Sequence, residues 1–415
     1  MPKTKQILFV HQNFPGQFKF LAPALIKEGY DIHALGNEDS ISQIKDKLGV
    51  TMHSYKILQG STTGIEVMAV EFETKMLRAR FSADKAEEMK SNGLYPSLIV
   101  AHPQWGESFF LKDIWPKSQI LSYFEFHWHV TNSDVDFDDE FMDDDLYRFV
   151  VRKLRARNVY NYAVYSESDA IICPTNYQKN TAPSYIKERI NVIHDGIDTE
   201  VAKPNPKVEV TLDSKILLTK KDKVVTFVSR NLEPYRGYHI FMRSLPGIME
   251  KNPDAVILII GGDAKGYGSE PPKGKTWREI FLDEVKEKVD TSKIYFLGMV
   301  DYEALIRVFQ LTSVHVYLSY PFVLSWSMLE AMSCEAVVVG SDTDPVKEVI
   351  KNNKNGITFD FFDTKALVNT VNKILKNPKK YKNIASEARN TIIKNYDIKN
   401  VCLPKQIKLV KKIIG

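Results

Sequence analysis

The chain has 415 residues, a formal charge of +4 at pH 7, 44% hydrophobic and 26% charged residues, the proportions of a soluble globular protein long enough for two or three domains. So small a charge on so long a chain argues against a nucleic-acid partner, and no basic stripe with interleaved aromatics appears. Cys173, Cys334 and Cys402 lie far apart, which leaves neither a zinc spacing nor a disulfide framework and points to a reduced, cytoplasmic setting.

At the N-terminus two lysines precede "ILFV", four apolar residues that end at His11, too few for a signal-peptide core. No run reaches the length of a membrane span. The expected location is therefore the cytoplasm, with peripheral contact at the inner membrane face left open. "ILFV" predicts a buried strand, "GQFKFLAPALIKEGY" a helix with Gly29 as its C-cap, and "DIHALG" a second strand. The pattern recurs at "SLIVAH", "QILSYFEF", "DAIICPT" and "INVIHDGID", as in parallel strands covered on both faces. Between them "DVDFDDEFMDDD" (134–145) is strongly acidic but lacks the glycine and glutamate of an EF-hand loop, so a solvated, mobile loop is expected. Arg148, Arg152 and Arg155 then follow at helical spacing and would neutralise the acidic run or meet an anionic lipid or substrate.

From 198 to 223 the chain turns polar and loses period, which predicts a linker. A second α/β series follows: "VVTFVSR", "AVILIIGGD", "IYFLGMV", "VHVYLSY", "AVVVGSD" and "GITFDF". The expected fold is α/β, with two Rossmann-like doubly wound domains facing across a cleft and ligands beyond the carboxyl ends of the strands. The expected boundaries are residues 1–200 for an N-terminal domain, 201–385 for a C-terminal domain, and 386–415 for a helical tail that packs back on the first domain.

Candidate chemistry gathers at the predicted strand ends. Arg230 and Arg236 flank a loop that opens a helix at Gly237; two guanidinium groups there would seat a diphosphate, or simply face solvent. Gly262 follows a strand and Gly16 lies at a strand-to-helix turn. Each would let backbone approach a ligand, or merely serve the turn. His102 ends a strand and should project into the cleft, whereas His127 and His129 follow the next strand near Glu125; a histidine in such a place is either structural or functional. Neither a G-x-S-x-G elbow nor a G-x-x-x-x-G-K-[ST] loop is present.

Taken in order, these segments resemble the GT-B glycosyltransferases of family 4, in a bacterial branch, over nearly the whole chain. "VIHDGID" is similar to the segment that closes the family's first domain. "SRNLEPYRGYHIF" is similar to its diphosphate-binding turn, with Arg236 in place of a lysine. "IYFLGMVDYEAL" is similar to the loop at the nucleotide base, which places Met299 and Val300 there. "LSWSMLEAMSCE" resembles the donor helix. The resemblance implies a retaining, metal-independent hexosyltransferase active in polysaccharide biosynthesis. It would use a UDP or GDP sugar as substrate and no cofactor, with a glycan or glycolipid as acceptor.

Under that resemblance Arg230 and Arg236 would stabilise the leaving diphosphate. Helix N–H groups around Ser325, Trp326 and Ser327 would assist, Glu330 would clamp the ribose, and His102 would orient the transferred sugar. Two residues depart from the family. Phe322 replaces the first glutamate of a Glu-x7-Glu signature, and Glu335 replaces a glycine. The first departure bears on sugar recognition and leaves three readings open: a transferase, a GT-B sugar-nucleotide epimerase, or a non-catalytic module that binds nucleotide sugar or glycan.

Overall fold

The computed structural model describes residues 5–44, 49–131, 133–212 and 215–415. The chain forms two compact units, one of Met1–Thr131, Asp143–Gly196 and Ile398–Gly415, the other of Asn132–Met142 and Ile197–Asp397.

The first unit is built on a wholly parallel seven-stranded sheet. Its strands are β1 (Gln6–Val10), β2 (Asp31–Asn37), β3 (Thr51–Tyr55), β4 (Leu98–Ala101), β5 (Gln119–Tyr123), β6 (Ala170–Cys173) and β7 (Ile190–Val192). They lie in the order β3-β2-β1-β4-β5-β6-β7. Ile7, Leu8, Phe9 and Val10 are all fully buried, as a central strand with helices on both faces requires. The sheet order reverses between β1 and β4, and such a switch point leaves a crevice at the strand carboxyl ends. The helix Leu403–Ile414 belongs to this unit and places Leu409 and Val410 in its core beside Leu21 and Leu25.

The second unit begins with an antiparallel hairpin, β8 (Glu209–Leu212) and β9 (Ile216–Thr219). It continues in β10 (Val224–Asn231), β11 (Val256–Gly262), β12 (Ile294–Gly298), β13 (Val314–Tyr317), β14 (Val337–Ser341) and β15 (Ile357–Phe359). Those six form a parallel sheet in the order β12-β11-β10-β13-β14-β15, with its switch point between β10 and β13. Two doubly wound Rossmann-like units are thus the architecture that the alternating strand and helix pattern predicts.

Three expectations need correction. Residues 198–223 are not a structureless linker: Val208, Leu212 and Leu218 insert into the second unit's core, and this apolar content pairs β8 with β9. The tail does not start at 386, because Ala388 and Ile392 of the helix Lys382–Tyr396 are buried in the second unit's core; the chain changes unit at Ile398. Nor is 134–145 a solvated loop along its whole length. Residues up to Met142 belong to the second unit, and Ser133, Asp134, Val135 and Asp138 are buried. Only its end behaves as expected: Asp143 caps the helix Asp144–Ser166, and Arg148 pairs with Asp145 on the same helix.

Candidate functional site

In the first unit the switch point holds two histidines. His11 follows β1 and His102 follows β4, with their rings 5.2 Å apart. The Nδ1 of His11 accepts from the Asn13 N–H at 2.9 Å while its Nε2 faces Gln17 Oε1 at 2.8 Å, which fixes the neutral tautomer with hydrogen on Nε2. Burial lowers its pKa to about 4, although the Gln17 contact acts the other way. Gly16 is a packing requirement here: it has φ +47°, and a Cβ would lie 2.4 Å from His11 Nε2.

His102 does not project freely as expected. It is 0% exposed, stacked between Trp105 at 4.1 Å and Tyr123 at 5.2 Å. Burial, then the neighbouring His11, drives its pKa well below the usual value, so it is a neutral imidazole. The nearest carboxylate, Glu125 Oε2, is 3.7 Å from its Nε2. Of the other two candidate histidines, His129 Nε2 contacts the Thr181 carbonyl at 2.6 Å, and His127 packs against His129 and Tyr162.

In the second unit Arg236 spans the switch point. It ends a short turn, Pro234–Arg236, that follows β10. Its guanidinium donates to Ser319 Oγ at 2.9 Å and to the Val323 carbonyl at 3.0 Å, both in the loop after β13. Its carbon lies 5.5 Å from the Phe322 ring and 5.4 Å from the Tyr267 ring, within cation–π range. Among the described residues no carboxylate stands within ion-pair distance of it. Gly237 follows with φ +70°, where a Cβ would lie 2.3 Å from Leu318 Cβ, so only glycine lets the turn enter the next helix. Arg230, near the end of β10, is exposed.

Phe322 is part of this seat. It is 4% exposed and packs edge-on against Tyr235 at 5.1 Å and against Tyr267 at 5.0 Å. The Phe322 ring therefore packs beside the arginine as part of its support. Phe322→Ala removes a fully packed ring, and we expect a loss of about 3–5 kcal/mol of stability. Chemical denaturation and calorimetry check this. Unaltered denaturation would show that the ring supports nothing.

The Gly-rich loop after β11 is fastened by a residue that motif reading missed. Glu233, 3% exposed, accepts from the N–H groups of Tyr267 at 2.8 Å and Gly268 at 3.2 Å. A Cβ on Gly266 would sit 1.9 Å from that carboxylate, so the glycine serves the anchor. Burial raises the Glu233 pKa, against the backbone donors and Arg236. Its signal in the sequence is the step Glu233-Pro234 just before the arginine, and Tyr267 is flagged only by its flanking glycines.

Glu330 lies on the helix Trp326–Ser333 and is 6% exposed. The hydroxyl of Tyr302, another residue not foreseen, is bonded to it. Burial first, then the Glu330 charge and this hydrogen bond, raise the Tyr302 pKa. Met299, after β12, is 69% exposed, while Val300 packs on the core. A Cβ on Gly262 would fall 3.2 Å from Asn231 Oδ1 and 3.7 Å from Met299 Cγ, which brings the ends of β10, β11 and β12 together.

The helix N-terminus is less open than expected. The Ser325 N–H donates to Tyr317 Oη at 2.9 Å, and the Ser327 N–H to Ser325 Oγ at 3.3 Å. Serine at the N-cap satisfies its own helix, so these two donors are already engaged, and Trp326 packs against the core. Glu335, in place of a glycine, takes φ +61°, a left-handed conformation that costs about 1–2 kcal/mol outside glycine.

Two doubly wound units, each with its polar residues gathered at the switch point, define the GT-B class of fold. A family model described as "Glycosyl transferase family 4 group" matches residues 28–202, and one described as "Glycosyl transferases group 1" matches residues 210–391. The chain belongs to the family 4 glycosyltransferases of the GT-B fold.

Among relatives, an uncharacterized glycosyltransferase of Methanocaldococcus jannaschii is 25% identical over 255 residues, covering 60% of this chain and 59% of the relative. The D-inositol 3-phosphate glycosyltransferase of Mycobacterium marinum is 25% identical over 207 residues, covering 48% and 41%. The chain thus spans about half the length of the relatives it matches. Among solved structures, sucrose-phosphate synthase from Thermosynechococcus elongatus superposes with a TM-score of 0.76 at 16% identity, covering 99% of both chains. Anabaena HepE, solved with UDP and glucose, gives 0.66 at 16% identity, covering 98% of this chain and 100% of HepE.

Proposed function

We propose that this protein transfers a sugar from a nucleoside-diphosphate sugar, with UDP or GDP as carrier, to a glycan or glycolipid acceptor with retention of anomeric configuration. The observation that carries this reading is Arg236, a guanidinium held by two neutral oxygens across a sheet switch point, with no carboxylate at ion-pair distance among the described residues and the nearby Glu233 engaged by the Tyr267 and Gly268 N–H groups. Such a site favours an anion. HepE, which shares the fold, was solved with UDP and glucose, in keeping with a nucleotide-sugar donor.

In the proposed reaction the diphosphate leaves as negative charge develops on its oxygens. Arg236 and the exposed Arg230 stabilise that charge without a metal ion. Glu330, oriented by Tyr302, accepts from the ribose hydroxyls, and Met299 and Val300 border the base. His102, neutral and clamped between two rings, orients the sugar rather than acting as a proton acceptor.

Glu330→Gln tests the donor reading. It should weaken UDP or GDP binding by about 1.5–3 kcal/mol, the worth of a charged hydrogen bond. It should leave 2′,3′-dideoxy analogues unaffected. Calorimetry with both ligand sets decides, and equal affinity for the natural nucleotide would remove the ribose role. The alternative favoured by Phe322, which leaves no carboxylate at that position, is a module that binds nucleotide sugar without turnover. A glycosylated product, formed with a panel of nucleotide sugars and glycan acceptors, separates the two, and its anomer reports retention.

A further inference from the structure

The acidic run 133–142 has no part in the reaction above, yet it is docked where that reaction would occur. Asp134 accepts from the Tyr235 hydroxyl, and Asp138 Oδ2 accepts from the Tyr320 hydroxyl at 2.5 Å. His239 Nε2 stands 3.2 Å from the same Asp138 oxygen. Glu140 takes both forks of Arg243 at 2.6 Å, and Arg243 is shared with Glu284 at 2.7 Å. Two rings plug the segment down: Phe137 against Tyr320, Phe361 and Phe362 at 5.0–5.2 Å, and Phe141 against His239 and Trp277 at 5.2 and 5.3 Å.

Asp138, Glu140 and His239 offer ligand atoms within 4.8 Å of one another. Both Glu140 oxygens are already engaged by the Arg243 fork, however, so an ion-pair network accounts for the cluster. Burial pushes the Asp138 carboxyl up, but the adjacent His239 and the hydrogen bond from Tyr320 together hold it below the usual range, so it is charged at neutral pH.

The two tyrosines held by the strap flank the arginine seat. Tyr235 precedes Arg236 in the chain, and its ring touches Phe322 at 5.1 Å. Tyr320 lies between Ser319, which accepts from Arg236, and Phe322, on which Arg236 rests. The Tyr320 N–H bonds to the Tyr235 carbonyl at 3.1 Å, and their rings lie 4.9 Å apart. A buried tyrosine hydroxyl without its carboxylate must find another acceptor or be desolvated alone, and either outcome moves the seat.

We propose that segment 133–142 is a strap that shapes the diphosphate site, with Asp134 and Asp138 as positioning residues that act on Arg236 and Phe322 through Tyr235 and Tyr320. This rests on the donor reading above.

The test uses the full chain with UDP, GDP, uridine and guanosine as probes. Asp134→Ala and Asp138→Ala should each reduce affinity for the bound diphosphate about tenfold, the lower range for a lost charged hydrogen bond, and leave the matching nucleoside within about twofold. Tyr320→Phe should reproduce the Asp138→Ala loss, and the double variant should be no worse than either alone. Arg243→Gln, which frees the strap at its partly exposed rim, should give the same selective loss and serves if an aspartate variant fails to fold.

Unchanged diphosphate affinity in these variants overturns the proposal. So does an equal loss for diphosphate and nucleoside, which would mark the strap as a support of the fold alone. A wild-type protein that binds neither UDP nor GDP removes the donor reading and the strap proposal with it.

Discussion

Arg236→Ala is expected to weaken nucleoside-diphosphate binding by about 1.5–3 kcal/mol, roughly ten- to a hundredfold or slightly more, while nucleoside binding is unchanged. The guanidinium uses one nitrogen on Ser319 and Val323, which leaves the rest of its planar fork for phosphate oxygens. Lysine in its place keeps a point charge but no fork, so Arg236→Lys should restore part of the affinity and none of the bidentate geometry. If charge develops on the diphosphate during transfer, turnover should fall further than ground-state affinity, by about 10²–10³-fold for a lost oxyanion-type donor. Calorimetry with UDP and GDP checks the first statement and product release checks the second. An alanine variant with wild-type affinity would show that the arginine only braces its loop.

The second large effect is on acid stability, and it should divide the two units. In the first unit His11, His127 and His194 are buried and their pKa values are lowered to about 4, by burial in each case. His102 is also pushed well below its usual value by burial. Among the described residues of the second unit only His315 is similarly depressed, to about 3. A histidine of ordinary pKa in the unfolded chain and about 4 in the native one favours the native state fully above pH 6.5. That contribution is lost as pH falls towards 4, because the unfolded chain then binds more protons. Each such residue forfeits roughly 2 kcal/mol by pH 5. Glu107 and Glu233, whose pKa values burial raises, act in the opposite sense, one in each unit. Differential scanning calorimetry from pH 7 to 5 should therefore show the first unit's transition moving down faster than the second's. Parallel shifts would refute this.

The sequence announces the architecture well because fully buried parallel strands read as apolar runs such as "ILFV" and "AVILII", and both sheets use them. The strand end and the turn at Gly237 marked Arg236 as a candidate, whereas Glu330 was a candidate through the family resemblance. What stayed hidden has a common cause. An aspartate in "DVDFDDEF" looks solvated in any window of sequence, because the tyrosine hydroxyls that hold Asp134 and Asp138 lie 101 and 182 residues away. Phe322 reads as a lost carboxylate until Tyr235 and Tyr267 are seen beside it. His102 reads as a projecting ligand because its strand is evident, whereas Trp105 and Tyr123, which enclose it, come from a later turn and the next strand. Local pattern reports which element a residue belongs to. It does not report which distant side chain meets it.

The closing helix Leu403–Ile414 has a consequence for the order in which the protein can be made. It fills the first unit's core beside Leu21 and Leu25, and Lys5 Nζ bonds to the Gly415 carbonyl at 3.0 Å across 410 residues of chain. During synthesis from the N-terminus, the second unit has all its segments as soon as Asp397 has left the ribosome, whereas the first still lacks Ile398–Gly415. The domain begun first is thus completed last, and until then a greasy groove over Leu21 and Leu25 stays open to chaperones or to a neighbouring nascent chain.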